Sequence, residues 1–123
     1  MKISEAIAAI DSTKPNNEYS VNDKVGWLSE LDSRIVRELF DRYEGTDKIV
    51  FGGYDADDTN VELLVKAPYE GVYIKWLEAR IDYANGEYDK YNNSAAAFNS
   101  VYGAFERDYN YSHMPKAARF KFF

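Results

Sequence analysis

Aromatic and small apolar residues recur at regular helical spacing between residues 88 and 109. The intervals alternate between three and four, which places all of these side chains on one narrow stripe of an α-helix. The spacing therefore predicts a long helix from about residue 87 to residue 111, packed along this stripe against other helices. The residues of the stripe are Tyr88, Tyr91, Ala95, Phe98, Tyr102, Phe105 and Tyr109.

Three kinds of partner can cover this stripe: the core of the protein, stacked nucleic-acid bases, or a neighbouring subunit. Base-stacking surfaces place lysine and arginine among their aromatic residues, whereas the intervening residues here are mixed or acidic. Tyrosine suits interfaces because one end of its side chain is apolar and the other is polar. We expect Phe98, Tyr102 and Phe105 to pack in the core, with subunit contacts near the end of the helix at Tyr109 and Tyr111.

Composition narrows the class of protein. A chain of 123 residues with 46% hydrophobic and 29% charged residues is typical of a single globular domain. Its net charge of -6 argues against general nucleic-acid binding. The chain has no cysteine and therefore no disulfide or thiolate chemistry. No apolar run approaches the roughly 20 residues that a membrane span needs, and residues 1–12 make a poor signal peptide.

Apolar periodicity predicts three further helices, over residues 3–10, 20–44 and 68–85. Ser20, Asn22 or Asp23 can cap the second helix, and Pro68 suits the first turn of the third. Charges of alternating sign recur every four residues along the second helix, which is typical of a solvated face. The core residues predicted for the second and third helices are Leu28, Leu31, Ile35, Leu39, Trp76, Leu77 and Ile81.

Residues 46–67 have a different pattern. Two β-prone runs, at residues 48–51 and 61–65, flank a stretch rich in turn-forming residues. The sequence therefore predicts a mainly α fold: a small bundle of about four helices, with a short β-hairpin or extended arm between helices 2 and 3. We expect a single domain over residues 1–115, followed by a basic and aromatic tail at residues 116–123.

Metal sites and catalytic sites find little support in the sequence. Residues 55–60 begin like an EF-hand loop, but Asn60 stands where that loop needs glycine and Lys66 where it needs glutamate. Glu78 and Asp82 lie one helical turn apart, with Lys75 and Arg80 nearby, so ordinary surface ion pairs explain them best.

The remaining candidates for chemistry are weaker. His113 is the single histidine of the chain and lies near the end of a helix, where its ring can bond the last carbonyls. Gly52-Gly53 does not fit a phosphate-binding motif. We expect no enzymatic activity, no cofactor and no metal.

Several short motifs carry a resemblance to a known family. Pro68-Tyr69 opens a helix, Ile81-Asp82-Tyr83 precedes Asn85-Gly86-Glu87-Tyr88, and Tyr91-Asn92-Asn93 leads into the last helix and its His113-Met114-Pro115 end. With these motifs, residues 63–115 resemble the C-terminal part of head–tail connector (adaptor) proteins of tailed bacteriophages and prophages.

The resemblance implies a structural virion protein that assembles as a homo-oligomeric ring at the head–tail junction. Such a ring docks beneath the portal protein, extends the channel through which DNA passes, and offers a face to downstream head–tail or tail components. DNA crosses its lumen without specific binding, no membrane is involved, and assembly takes place in the host bacterial cytoplasm.

The resemblance also implies two interfaces. The β-prone segment at Val61, Leu63 and Val65 would pair with a neighbouring subunit by strand addition. The tail would dock on the portal or on an adjacent subunit through Arg119, Phe120, Lys121, Phe122 and Phe123. The alternative is a phage-encoded nucleic-acid-binding helical regulator. That function calls for a basic recognition helix, whereas residues 20–44 alternate in charge.

Overall fold

A computed structural model describes residues 1–42 and 51–113 of the chain. It contains four α-helices, α1 (Ile3–Thr13), α2 (Val21–Glu38), α3 (Gly71–Ala84) and α4 (Tyr88–His113), and a short 3₁₀ turn at Phe40–Arg42 that follows α2. Helices α3 and α4 form an antiparallel hairpin, and α3 also packs against both α1 and α2. The prediction of a mainly helical fold with four helices is confirmed.

Local sequence signals fix two of the helix ends. Ser20 caps α2: its hydroxyl accepts a hydrogen bond from the Asp23 amide at 3.1 Å, and the Asp23 carboxylate accepts one from the Ser20 amide at 3.2 Å. This reciprocal pair satisfies two amides that the helix leaves unbonded. The turn between α3 and α4 contains Gly86 at φ 72°, a left-handed conformation that glycine adopts without steric cost.

Helix α3 begins later than the sequence indicates. Pro68 was the predicted start, but the helix begins at Gly71. Before it, the Tyr69 amide donates to the Lys66 carbonyl at 3.0 Å, which closes a separate turn around Pro68. The peptide bond between Ala67 and Pro68 is cis. The proline therefore shapes the connection into the helix instead of the first turn of the helix itself.

The core lies between the α3–α4 hairpin and the first two helices. The side chains predicted to form it are buried, except Trp76, which is partly buried and packs against the core. Its indole Nε1 donates to the Trp27 carbonyl at 2.7 Å. The buried members are Leu28, Leu31, Ile35, Leu39, Leu77, Ile81, Phe98, Tyr102 and Phe105.

The arm, residues 51–66, is an irregular segment with turns that precedes α3. The described residues between α2 and α3 form no β-hairpin. The arm makes an antiparallel bridge instead, between Glu62 and Lys2. Residues 48–50 of the first β-prone run lie outside the described ranges. The Ile3 amide donates to the Val61 carbonyl at 3.0 Å, so the arm lies along the start of α1 instead of pairing with itself.

This attachment corrects the role expected for two residues of the arm. Leu63 and Val65 are 0% and 1% exposed and belong to the subunit core, and their amides already donate within the subunit, to the Met1 carbonyl and the Tyr73 hydroxyl. Their side chains point inward because the arm bonds the N-terminus of α1, with the Leu63 amide donating to the Met1 carbonyl at 2.9 Å. Val61, by contrast, remains 41% exposed.

The second helix is shorter than the sequence indicates: α2 ends at Glu38 and is followed by the 3₁₀ turn Phe40–Arg42, so it does not continue to residue 44. The predicted C-terminal tail, which includes Arg119, Phe120, Lys121, Phe122 and Phe123, lies beyond the described ranges. Across residues 1–42 and 51–113, no helix combines the length and apolar character needed to cross a membrane.

Candidate functional site

The aromatic stripe of α4 divides into a buried part and an exposed part. Phe98 and Phe105 lie in the core, where the Phe98 ring centre is 5.1 Å from that of Trp76 and the Phe105 ring centre is 5.7 Å from that of Tyr69. Tyr88, at the start of the same stripe, is 60% exposed. The stripe is thus a core face along most of its length and a surface at its N-terminal end.

Three tyrosines form an exposed cluster at the α3–α4 turn. The Tyr83 ring centre lies 5.9 Å from that of Tyr88 and 5.1 Å from that of Tyr91, in both cases edge to face. Tyr83 is 56% exposed. We call Tyr83, Tyr88 and Tyr91 the tyrosine cluster. It joins the last turn of α3 to the first turn of α4, so it presents a continuous aromatic surface at one end of the hairpin.

A surface groove adjoins the tyrosine cluster and runs between α3 and α4 beside α2. Its volume is about 230 Å³, and the small side chains of Ala79 and Ala95 leave the space. We call it the α3–α4 groove. Its walls combine aromatic rings with two guanidinium groups. The complete lining is Arg34, Trp76, Ala79, Arg80, Tyr83, Tyr91, Ala95, Phe98 and Asn99.

The two arginines of the groove lie over aromatic rings. The Arg34 guanidinium carbon is 4.6 Å from the Tyr102 ring centre, and that of Arg80 is 5.5 Å from the Trp76 ring centre. A cation over an aromatic face is attracted by the ring electrons. Contact with these rings therefore restricts the conformations of both arginine side chains.

Carboxylates of α2 pair with both arginines. Arg34 Nε lies 3.1 Å from a Glu38 oxygen, one helical turn further along α2. Arg80 Nη2 lies 3.3 Å from Glu30, which links α3 to α2. The alternating charges of α2 thus form one pair within the helix, as expected from the spacing, and one pair across helices that the spacing does not reveal.

Tyr102 connects the buried stripe to this charged edge. Its hydroxyl donates to Glu38 Oε2 at 3.0 Å. Burial on its own raises the pKa of Glu38, but the hydrogen bonds from Tyr102 and Arg34 outweigh it and leave that pKa below its ordinary value. Burial, together with the bond to Glu38, raises the pKa of Tyr102. Glu38 is therefore held as a carboxylate at neutral pH.

Asp32 is the polar residue that fixes the arm to the helices. It is fully buried and accepts hydrogen bonds from the Tyr54 hydroxyl at 2.5 Å, the Tyr73 hydroxyl at 2.7 Å and the Leu64 amide at 3.3 Å. The Tyr73 hydroxyl in turn accepts from the Val65 amide at 2.7 Å. Burial raises the pKa of Asp32, and the two tyrosine hydroxyls oppose that rise. A buried carboxylate saturated in this way acts as a structural anchor.

A second buried carboxylate, Asp82, joins three helices. Its Oδ1 lies 2.7 Å from Lys14 Nζ at the end of α1, and its Oδ2 accepts from the Ser94 hydroxyl of α4 at 2.8 Å. Surface pairing was expected for both Glu78 and Asp82. Glu78 does pair with Lys75, at 3.8 Å, but Asp82 is buried. The two carboxylates therefore have separate structural partners.

Hydrogen bonds within the acidic turn of the arm stabilise its conformation. Asp58 Oδ2 accepts a hydrogen bond from the Asp55 amide at 3.0 Å, and the Asp58 carbonyl accepts one from the Val61 amide at 3.0 Å. Within the described ranges, no group of three or more histidine, aspartate or glutamate side chains is placed to hold a metal ion.

His113 lies in the last turn of α4. Its Nδ1 is 2.8 Å from the Tyr109 carbonyl oxygen, so this nitrogen donates to the end of the helix. The two rings also stack with their centres 3.9 Å apart. This is the helix-terminal arrangement expected from the sequence.

Comparisons with models of protein families, with curated protein sequences and with solved structures found no match to this chain. The candidate site is therefore defined by its own geometry: an aromatic and arginine-lined groove with the tyrosine cluster at one end, on a helical body that also carries an acidic arm.

Proposed function

We propose that this chain is a ring-forming structural protein of the head–tail connector type, which docks beneath a portal protein and extends the channel for DNA. The sequence resemblance behind this proposal covers residues 63–115. Most of that range is the α3–α4 hairpin, which contains the tyrosine cluster and most of the groove.

The observation that carries the proposal is the aromatic surface at the end of the hairpin. Tyr83 and Tyr88 are more than half exposed and contact each other across the turn. Aromatic residues, tyrosine among them, are enriched in protein–protein interfaces, and contiguous apolar surface beside a groove marks interaction sites. A subunit that meets neighbours at this surface would bury the tyrosine rings.

The distribution of charge favours a structural ring over a DNA-binding regulator. The arginines of the groove are each paired with a carboxylate of α2, Arg34 with Glu38 and Arg80 with Glu30. Two arginines, each beside a carboxylate, do not make the extended basic surface on which nucleic-acid binding depends. An acidic protein beside the channel would instead let DNA slide without retention, which suits a net charge of -6.

The test is co-expression with the portal protein of the same genome, followed by size-exclusion chromatography with light scattering and negative-stain microscopy. We expect a co-complex in which this chain forms a ring. Tyr88→Ser should weaken that complex. Val21→Ser, which changes a residue of α2 that is also largely exposed, serves as the matched control. A monomer that never binds portal, yet binds duplex DNA at physiological salt, would contradict the proposal and support the regulator.

A further inference from the structure

We propose that the α3–α4 groove receives the acidic turn of the arm, residues 55–62, from a second copy of this chain. The inference rests on the proposed ring and names the two surfaces that would meet between neighbouring subunits. It replaces the strand addition expected from the sequence, because Leu63 and Val65, two of the three residues expected to pair, lie in the subunit core.

The lining of the groove combines apolar side chains with two cationic groups. Ala79 and Ala95 are among the apolar residues, and Arg34 and Arg80 are the cationic ones. A volume of about 230 Å³ accepts an aliphatic side chain with part of its backbone. The groove therefore fits an apolar side chain that is flanked by carboxylates.

The acidic turn carries carboxylates and an apolar side chain, which complement the arginines and alanines of the groove. Residues 55–62 contain four carboxylates, at Asp55, Asp57, Asp58 and Glu62, and no basic residue. Val61 lies among them with its side chain 41% exposed. Glu62, which follows Val61, already pairs with the N-terminal amine of Met1 at 3.0 Å. An exposed valine preceded by three aspartates complements a groove whose lining combines alanines with two arginines.

The existing ion pairs of the groove leave room for this partner. Glu30 lies 3.3 Å from Nη2 of Arg80, and a guanidinium group has five N–H donors in a fork. Glu30 is also 56% exposed in that pair, and exposed ion pairs contribute little stability. A carboxylate from a neighbour can therefore bind the same guanidinium at small cost to the subunit.

The two surfaces lie on different flanks of α2. The arm bonds α2 at Ser29, whose hydroxyl accepts from the Tyr54 amide at 2.9 Å, whereas Arg34 faces the groove. Five helical positions separate Ser29 from Arg34, which is about 140° around the helix axis. Two different complementary surfaces on separate flanks make head-to-tail contacts, which form a ring when the rotation between neighbouring subunits closes.

Asp32 gives the turn a fixed position from which to dock. Through Tyr54 and Leu64 it bonds the arm on both sides of the acidic turn. An interface element that is already held in place loses less conformational freedom on binding than a free loop. The acidic turn is therefore presented as a preorganised surface.

The first experiment uses the natural absence of cysteine in the chain. Val61→Cys and Ala95→Cys are made as separate proteins, mixed under assembly conditions with portal protein, and treated with a short bismaleimide. We expect a covalent dimer from the mixture and little from either protein alone, since a head-to-tail contact joins unlike surfaces. Val61→Cys mixed with Ala8→Cys, an exposed site on α1, is the matched control.

The second experiment tests the charges. Asp57→Lys should weaken subunit association about tenfold or more, because it places a cation beside the arginines of the groove. Glu18→Lys makes the same change in net charge at an exposed loop residue and should have little effect. Arg80→Glu should weaken association in the same way, and combining it with Asp57→Lys in one chain should restore much of the loss. Circular dichroism verifies that each variant is folded.

The outcomes separate the inference from the proposed function. Oligomers that form without a crosslink between the Val61→Cys and Ala95→Cys proteins, and that tolerate Asp57→Lys, would overturn the inference and leave the ring intact. Crosslinking of the Val61→Cys protein with itself would show like surfaces meeting and would also overturn the inference. If no oligomer forms with or without portal, both proposals fail.

Discussion

Two parts of the aromatic stripe on α4 share one residue spacing but differ in exposure to solvent. Phe98, Tyr102 and Phe105 are buried against the other helices, whereas Tyr88 lies at the surface beside Tyr83. Nothing in the three-four repeat separates these two parts. The difference teaches that periodicity identifies the residues that share a face of a helix, while the elements packed nearby decide which of those residues are covered.

The largest expected effect tests this division directly. Phe105→Ala should lower the free energy of unfolding by about 3–5 kcal/mol, because it removes a buried ring and leaves a cavity. Tyr88→Ala, on the same stripe, should change it by about 0.5 kcal/mol or less, because this side chain is mostly exposed. Urea denaturation followed by circular dichroism measures both. Similar losses for the two variants would show that the stripe is uniformly structural.

A smaller effect is expected at the edge between the two environments. Tyr102→Phe removes the hydrogen bond to Glu38 and should cost about 1 kcal/mol at pH 7. The folded pKa of Glu38 lies below its ordinary value, so the stability it contributes is present above the ordinary pKa. That stability is lost as the pH falls through the lowered folded pKa.

Denaturation at pH 7 and at pH 3 should therefore show a smaller difference between Tyr102→Phe and the parent protein in acid. Tyr19→Phe is the matched control, since the Tyr19 hydroxyl donates to the uncharged Asn85 side chain at 2.6 Å. The loss of unfolding free energy caused by Tyr19→Phe should change little between the two pH values. A Tyr102→Phe cost that is equal at both would mean that the charge on Glu38 does not contribute through this bond.

The smallest expected effect concerns Gly103, on the flank of α4 beside the stripe. A Cβ at this position would meet only the tip of the Arg107 side chain, at 3.4 Å, among the described residues. Gly103→Ala should therefore stabilise the protein by up to about 1 kcal/mol, through the higher helix propensity of alanine. Thermal denaturation measures the gain. A stabilised variant that no longer assembles would show that Gly103 meets a neighbouring subunit.

Much of the helical architecture could be predicted because its signals are local. The alternation of three and four residues indicated α4, and Ser20 with Asp23 provided a capping pair within one turn of helix. The arm could not be predicted in the same way. Alternating apolar residues indicate which side chains share a face, but only the bonds to α1 determine that Leu63 and Val65 turn inward.

The buried carboxylates were missed for a related reason. Asp32 lies on the apolar face of α2, and an acid on such a face was a signal that a buried partner exists. The partner itself, Tyr73, is 41 positions away in the chain. The α3–α4 groove is likewise assembled from three helices, so its two arginines are not adjacent in any sequence pattern.

The attachment of the arm has a consequence for the order of folding. Its contacts join Asp32 to Leu64 and Ile3 to Val61, pairs that are far apart along the chain. Forming such contacts costs the entropy of closing a long loop, whereas α3 and α4 are joined by a short turn and their contacts cost less loop-closure entropy. We therefore expect the hairpin to form early and the arm to be fixed last. In the proposed ring, a subunit built in this order would complete its docking surface only when folding is finished, so unfinished chains would not associate.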